Sequence, residues 1–320
     1  MTAWRTQAPL ANLRRRADML AVTRDFFAAR DVLEVETPLM CHATATDLHL
    51  QSLTVNHSGG AQAYLQTSPE FAMKRLLASG SGPIYQLCKA FRSDELGRRH
   101  NPEFSMLEWY RPGFSDHDLM DEVEALMRTL LADHLQFPAD MPRITYRAIF
   151  QQYLGFDPMA LDDAAVCQQA RALPGAAALT LSRNEALDLL MSLAIEPHLQ
   201  APVFVYQFPA TQAALACVKA DEDGYLVAHR FEAFMHGMEL ANGYQELTDA
   251  YEQEARFHAD NAERREAGLP EIVVDERLLA ALRHGLPPSA GVAVGFDRLV
   301  MLATGAAHIH EVMSFTADRA

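Results

Sequence analysis

One stretch, residues 91–111 (FRSDELGRRHNPEFSMLEWYR), constrains the fold more than any other. In its second half Phe104, Met106, Glu108 and Tyr110 fall on one side of an extended strand, and Ser105, Leu107, Trp109 and Arg111 on the other, because strand side chains alternate with a period of two. Its first half is polar and charged, with Arg92, Asp94, Glu95, Arg98, Arg99, His100 and Asn101. Residues 84–91 read as the entering strand, Gly97 as the turn, and Glu103 as the start of the return. Such a hairpin can hold arginines and carboxylates over a sheet surface, and Arg92 is a fixed-charge donor suited to a phosphate oxygen. Taken alone, the loop is equally consistent with an ordinary solvated turn.

The flanking chain supplies further elements. Residues 13–30 have helical spacing, and residues 31–37 read as a strand stopped by Pro38. That strand suits either the core or a sheet edge at a dimer interface. Residues 41–60 read as loop and short strands. Ser68 caps and Pro69 opens a helix running to Gly80; Glu70 is a first-turn acid there, which by itself serves the helix dipole. Residues 115–135 form an amphipathic helix capped at Ser115 or Asp116, residues 138–180 are mixed, and residues 184–199 read as a core helix ending near Pro197. Strands are expected at 203–208, 213–219, 226–235 and 291–295, and helices at 248–268, 275–284 and 297–304. Hairpin-joined strands with helices set to one side indicate an α+β fold.

Two more constellations carry possible chemistry. Residues 238–247 read MELANGYQEL. Glu239 and Glu246 would face opposite ways on one straight strand. Asn242-Gly243 between them permits a turn or bulge that brings both carboxylates to one side. There the pair suits magnesium bridging phosphates, and one alone suits an ammonium group; a hairpin with exposed acids is the plain alternative. Residues 291–298 read GVAVGFDR. Its glycines admit close approach of a ligand to the backbone, and Arg298 sits early on a helix, where an anionic ligand offsets the unfavourable dipole. A salt bridge from Arg298 to Asp297 would also account for it. Together the three stretches describe an ATP–magnesium site on an antiparallel sheet. Neither a G-x-G-x-x-G after a strand nor a G-x-x-x-x-G-K-[ST] occurs in the chain.

Composition narrows the partners. The 320 residues allow one or two domains. A net charge of −15 weighs against a large polyanionic partner. Cys41, Cys88, Cys167 and Cys217 are scattered, which argues against a zinc site or a disulfide framework. No apolar run is long enough to span a bilayer, and no apolar segment follows the basic N-terminus. A cytoplasmic location is the expectation.

At this point the chain resembles the class II aminoacyl-tRNA synthetases. EVETP (34–38), FRSDE with RHNPEF (within 91–104) and GVAVGFDRL (291–299) are similar to that family's three motifs and occur in its order. RHNPEFSMLEWY with ELANGYQEL resembles the lysyl branch, and the likeness runs from about residue 13 to 319. It implies one class II synthetase-like catalytic domain over 1–320, an antiparallel sheet flanked by helices. The first motif begins at Glu34, which leaves no room before it for an anticodon-binding OB domain, so tRNA anticodon recognition is not expected. The chain is therefore similar to the truncated paralogues that ligate lysine, preferably (R)-β-lysine, to a lysine of elongation factor P. TSPEF with MKRLL, GPIYQLCKAFR, EWYRP and the terminal DRA share that likeness.

The resemblance also implies roles. Arg92 would hold the α-phosphate and Arg298 the γ-phosphate of ATP, as the catalytic pair. Ser93, Asp94, Asn101, Glu239, Leu240 and Gly295 would complete the nucleotide site. Ser68, Pro69, Glu70, Glu108, Tyr110, Glu246 and Ala293 would form the amino-acid pocket, and Glu239 and Glu246 would carry Mg2+. Ser93-Asp94 stands where the family usually has Asn-Glu, so the shorter Asp94 implies a weaker or water-mediated adenine contact. Ala293 replaces a usual glycine and implies a reshaped pocket. A homodimer is implied as well. Activation through an acyl-adenylate needs no enzyme nucleophile, and none is evident. The competing readings are a minimal synthetase that charges tRNA and a non-catalytic paralogue that only binds amino acids.

Overall fold

The computed structural model describes residues 4–48, 50–56, 62–93 and 96–320. In chain order these form α1 (Leu10–Ala28), β1 (Leu33–Glu34), β2 (Met40–Cys41), β3 (Thr54–Asn56), β4 (Gln62–Leu65) and α2 (Glu70–Ala78). The hairpin follows as β5 (Ile84–Phe91) and β6 (Glu103–Pro112), then α3 (Asp116–Leu131), β7 (Arg143–Thr145), α4 (Tyr146–Leu154), α5 (Asp163–Arg171) and α6 (Arg183–Leu190). The remainder is β8 (Val203–Pro209), β9 (Val218–Ala220), β10 (Leu226–Phe234), β11 (Glu239–Gln245), α7 (Ala250–Glu266), α8 (Glu276–Gly285), β12 (Ser289–Gly295) and α9 (Phe296–Thr304).

The main sheet runs β1-β5-β6-β12-β11-β10-β8-β7, with β9 also paired to β10. Its interior is antiparallel, and only the outermost pairs, β1 with β5 and β7 with β8, are parallel. The α+β, antiparallel-sheet expectation holds. Alternation assigns the two faces. Leu107 and Trp109 of β6, Val292 and Val294 of β12, and Phe231 of β10 point into one core with Phe27 of α1, Leu119 and Val123 of α3, and Phe296 and Leu299 of α9. The opposite face is open and forms the floor of a cleft. One wall is α2 with α7 and α8, packed through Met73, Leu77, Phe257, Leu278 and Leu279. The other is the α4–α6 segment, which closes on β8 through Phe150, Leu187 and Phe208.

Local signals worked where the chemistry was local. Ser115 caps α3 in a reciprocal capping box with Asp118. Three expectations change. The strand at 31–37 contracts to Leu33–Glu34, at the sheet edge. The expected helix at 184–199 is α-helical only to Leu190; a wider π turn over Met191–Ile195 and a 3-10 turn at Glu196–His198 follow. Pro197 has no N–H to continue the ladder. The expected strand at 213–219 becomes a 3-10 turn at Ala210–Gln212 and the short β9. Ala214 takes a positive φ of 48°, its carbonyl and that of Ala216 accept from the Arg256 guanidinium, and only an isolated bridge from Ala216 to Glu246 remains of the expected pairing there.

Candidate active site

The cleft encloses about 1800 Å³ over the strands β6, β12, β11 and β10. Each strand contributes alternate residues: Glu108 and Tyr110 from β6, Gly291, Ala293 and Gly295 from β12, and Asn242 and Tyr244 from β11, which continues into Glu246. Arg230 and Glu232 come from β10. The problem of placing Glu239 on this face is solved by a bulge. Ala233 pairs with Ala241, but the next residue, Phe234, pairs with Glu239. Leu240 is the extra residue, so the alternation reverses there. The bulge expected at Asn242-Gly243 lies at Leu240, and Asn242-Gly243 is regular strand. Leu240 itself is buried with the core and borders the cleft. Gly243 is required for another reason: a Cβ there would lie 2.4 Å from Phe231 Cζ.

The cleft is electrically divided. One end carries Arg92, Arg99 and Arg298. The Arg92 guanidinium lies 5.2 Å from the centre of the Phe104 ring. Arg298 donates to the Glu239 carbonyl at 2.7 Å and to His100 Nε2 at 2.7 Å, and its guanidinium lies 3.9 Å from the Glu239 carboxylate. Asp297 does not take Arg298. It accepts from Arg16 at 2.6 Å and from the Ser105 backbone at 2.7 Å, which clamps the start of α9 to α1 and β6. Arg99 donates to the Gly237 carbonyl. Ser93 is tied through its N–H to the Gln51 carbonyl at 2.8 Å. Asn101 is buried and uses both ends of its amide, donating to the Glu103 carbonyl and accepting from the Ala317 N–H at 3.0 Å. It thereby fastens the hairpin loop to the C-terminal segment. Asp94 lies outside the described residues.

The other end is acidic. Ser68, just ahead of α2, accepts from the Glu70 N–H at 3.0 Å and donates to Glu108 Oε2 at 2.7 Å, while Tyr110 donates to Glu108 Oε1 at 2.7 Å. Pro69 and Ala293 complete the lining. Glu108 and Glu246 are 2% and 3% exposed. Burial, with the charge of Glu70 added, pushes the Glu108 carboxyl up to about 8. The same two causes push Glu246 up to about 7, although Lys74 lies beside it and pulls it down. Lys74 itself stays charged: Glu246 and Glu70 outweigh burial and hold its ammonium above its ordinary range. A pocket of three acids around one lysine is short of cations.

Glu239 and Glu246 therefore serve different ends. Their side chains sit at opposite ends of β11, roughly 20 Å apart at about 3.3 Å per residue, and one ion cannot bridge them. Glu232 and Glu196 are the carboxylates that face Glu239, and sequence reasoning missed both. Burial and the charge of Glu239 push Glu232 up to about 8, against the pull of Arg230, which donates to it. Asn242 Oδ1 beside them is buried without a hydrogen-bond donor. The raised Glu232 carboxyl, Glu239 beside it and the orphaned oxygen fit a hard divalent cation with oxygen ligands. The signal was present in HRFEAF, where Arg230 and Glu232 share one face of an otherwise apolar strand.

Residues 1–319 match the family described as tRNA synthetases class II (D, K and N). The chain is 47% identical over 329 aligned positions to an elongation factor P–(R)-β-lysine ligase of Edwardsiella ictaluri, covering 100% of this chain and 99% of that one. It is 48% identical to the ligase of that name from Klebsiella pneumoniae subsp. pneumoniae and 49% to that from Pseudoalteromonas translucida, in both cases over 99% of this chain and 98% of the relative.

Proposed function

Because the chain belongs to the class II tRNA synthetase family, among the elongation factor P–(R)-β-lysine ligases, we propose that it activates (R)-β-lysine, or lysine, with ATP and transfers it to a lysine of elongation factor P. The observation that carries this reading is the division of the cleft: arginines at one end for a triphosphate, carboxylates at the other for ammonium groups.

The substrate lies across that division. Its ammonium groups meet Glu70, Glu108 and Glu246, which replace the water lost on burial. Its carboxylate then points toward Arg92, beside the α-phosphate. In the first step a carboxylate oxygen attacks the α-phosphorus and pyrophosphate leaves. In the second, the ε-amine of the acceptor lysine attacks the acyl carbon, loses its proton, and AMP leaves. Arg92 neutralises charge that grows on the α-phosphoryl group, and Arg298, held by His100 and the Glu239 carbonyl, receives the far end of the triphosphate. Gly295 leaves the nucleotide room beside Arg298. Alignment on a rigid sheet supplies much of the remaining acceleration.

Magnesium fits Glu232 with Glu239, and when bound it neutralises phosphate charge. Glu246 is better assigned to the amino acid than to the metal, since Lys74 occupies its near side at 2.5 Å. A homodimer through the β1 edge is supported by the exposure of Leu33, Leu39 and Met40 at and just after it. Among the described residues no helix is long and apolar enough to cross a membrane, and the cytoplasm, where translation factors are, is the proposed location.

The test is ATP–pyrophosphate exchange with (R)-β-lysine and with lysine. Exchange dependent on either amino acid, abolished by Arg92→Ala in a protein with unchanged circular dichroism, is expected. Wild-type exchange in that variant would refute the assignment.

A further inference from the structure

Behind the amino-acid end of the cleft, against Glu70 and Glu246, lies a buried cation that the proposed chemistry leaves idle. Lys74 of α2 is 1% exposed, with Nζ 2.7 Å from Glu70 Oε1 and 2.5 Å from Glu246 Oε2. An i,i+4 Glu–Lys pair on a helix surface contributes only about 0.2–0.5 kcal/mol. This one is turned inward and reaches across to the end of β11. Burying an ammonium is costly unless it is paired, so helix stability alone does not explain the placement.

A charge count does. Glu70, Glu108 and Glu246 bring three negative charges when ionised, and Lys74 brings one positive. The remainder is two negative charges, equal and opposite to the two ammonium groups of a diamino acid. A monoamino acid would leave one buried carboxylate unpaired. We propose that Lys74 is a specificity-determining positioning residue: its fixed ammonium bridges Glu70 and Glu246 and sets the pocket's charge to match a dicationic amino acid. The inference rests on the amino-acid-activation reading above and adds to it the reason why one carboxylate is already paired.

The titratable groups that act on Lys74 are Glu70 on its own helix and Glu246 at the end of β11, and Glu108, Tyr110 and Tyr244 act on those two carboxylates in turn. α7 and α8 pack against α2 through apolar Phe257, Leu278 and Leu279; Glu254 and Arg283 pair with each other, and Arg256, Asp260, Glu263, Glu266, Glu276 and Arg277 line the cleft, while the charges acting on Lys74 are those of Glu70 and Glu246. Removing the ammonium therefore has one main consequence. Glu70 and Glu246 lose their cation, and the free pocket takes up a proton that an incoming diamino acid must expel.

Lys74→Met tests this by calorimetry of lysine or β-lysine binding, across about pH 6 to 9 and in buffers of different ionisation heat. The expected result is at least tenfold weaker binding at neutral pH, recovery as pH rises, and release of about one more proton per ligand than in wild type, with ATP binding unchanged. An unchanged proton count overturns the proposal, because a purely structural lysine would lower the melting temperature without altering it. Should the single variant fail to fold, Lys74→Met/Glu70→Gln restores the charge balance. It is expected to show the wild-type proton count, and an extra proton there overturns the proposal. Wild-type protein that binds neither diamino acid would refute the activation reading itself, which separates that failure from failure of the Lys74 assignment.

Discussion

Three glycine-to-alanine substitutions on adjacent strands should have three different outcomes, and Gly291→Ala is the most informative. A Cβ on Gly291 would lie 2.3 Å from Tyr110 Cε1 and 2.4 Å from Glu246 Oε1. Ordinary contact begins near 3.4 Å, so the Tyr110 ring must retreat by about 1.1 Å. It is buried against α2 and α8 and cannot retreat freely. A shift of that size stretches its 2.7 Å hydrogen bond to Glu108 beyond bonding distance. Overpacking costs about 1–3 kcal/mol. If that distortion falls on the amino-acid site, kcat/KM for the amino acid drops roughly 5- to 150-fold, at 1.4 kcal/mol per decade. At Gly295 a Cβ meets only Arg298 Cδ, at 3.3 Å, so Gly295→Ala should raise KM for ATP and spare the amino acid. At Gly243 the clash is with Phe231 in the core, so Gly243→Ala should lower the melting temperature and leave both KM values unchanged. The assay is ATP–pyrophosphate exchange with each substrate varied in turn, beside thermal unfolding. Gly291→Ala with a normal amino-acid KM, or with its defect confined to ATP, would refute the placement of the pocket.

Other expectations follow from the charge arrangement. The Glu108 carboxyl is pushed up to about 8, so the folded state binds its proton more tightly than the unfolded chain. Its stabilising contribution is complete below about pH 4 and is lost as pH rises through about 8. The melting temperature of wild type minus that of Glu108→Gln should accordingly fall between pH 5 and 9; a rise would contradict the assigned burial. Asp297→Ala leaves Arg16 without its carboxylate and should cost about 3 kcal/mol in urea unfolding, whereas a loss under 1 kcal/mol would show the clamp to be dispensable. Glu232→Gln should weaken the dependence of exchange on magnesium concentration more than Glu246→Gln does, and Glu246→Gln should mainly raise KM for the amino acid.

The hairpin was legible because its signals are local. Alternation from Phe104 to Arg111 fixed both the strand and its faces, and Ser115 announced α3. Where the outcome depended on distant partners, local pattern misled. The bulge at Leu240 is set by pairing with β10, so nothing within ELANGYQEL places it. The strand expected after Ala213 is reduced to one bridge, Ala216 to Glu246, with Arg256 arriving from α7 on the Ala214 and Ala216 carbonyls. Asn101 is engaged by Ala317, more than two hundred residues away. The grouping of Glu239 with Glu232, and of Glu246 with Lys74, likewise exists only once the sheet is assembled.

At the heart of the proposed function is the joining of a diamino acid to a protein lysine at the expense of ATP. Its most direct test is the intact mass of elongation factor P after incubation with the protein, ATP, magnesium and (R)-β-lysine, with lysine in a parallel reaction. The expected result is a mass gain of one lysine less one water, located on a lysine side chain and dependent on ATP. Unmodified factor from both reactions, together with lysine charged onto tRNA by the same protein, would contradict it.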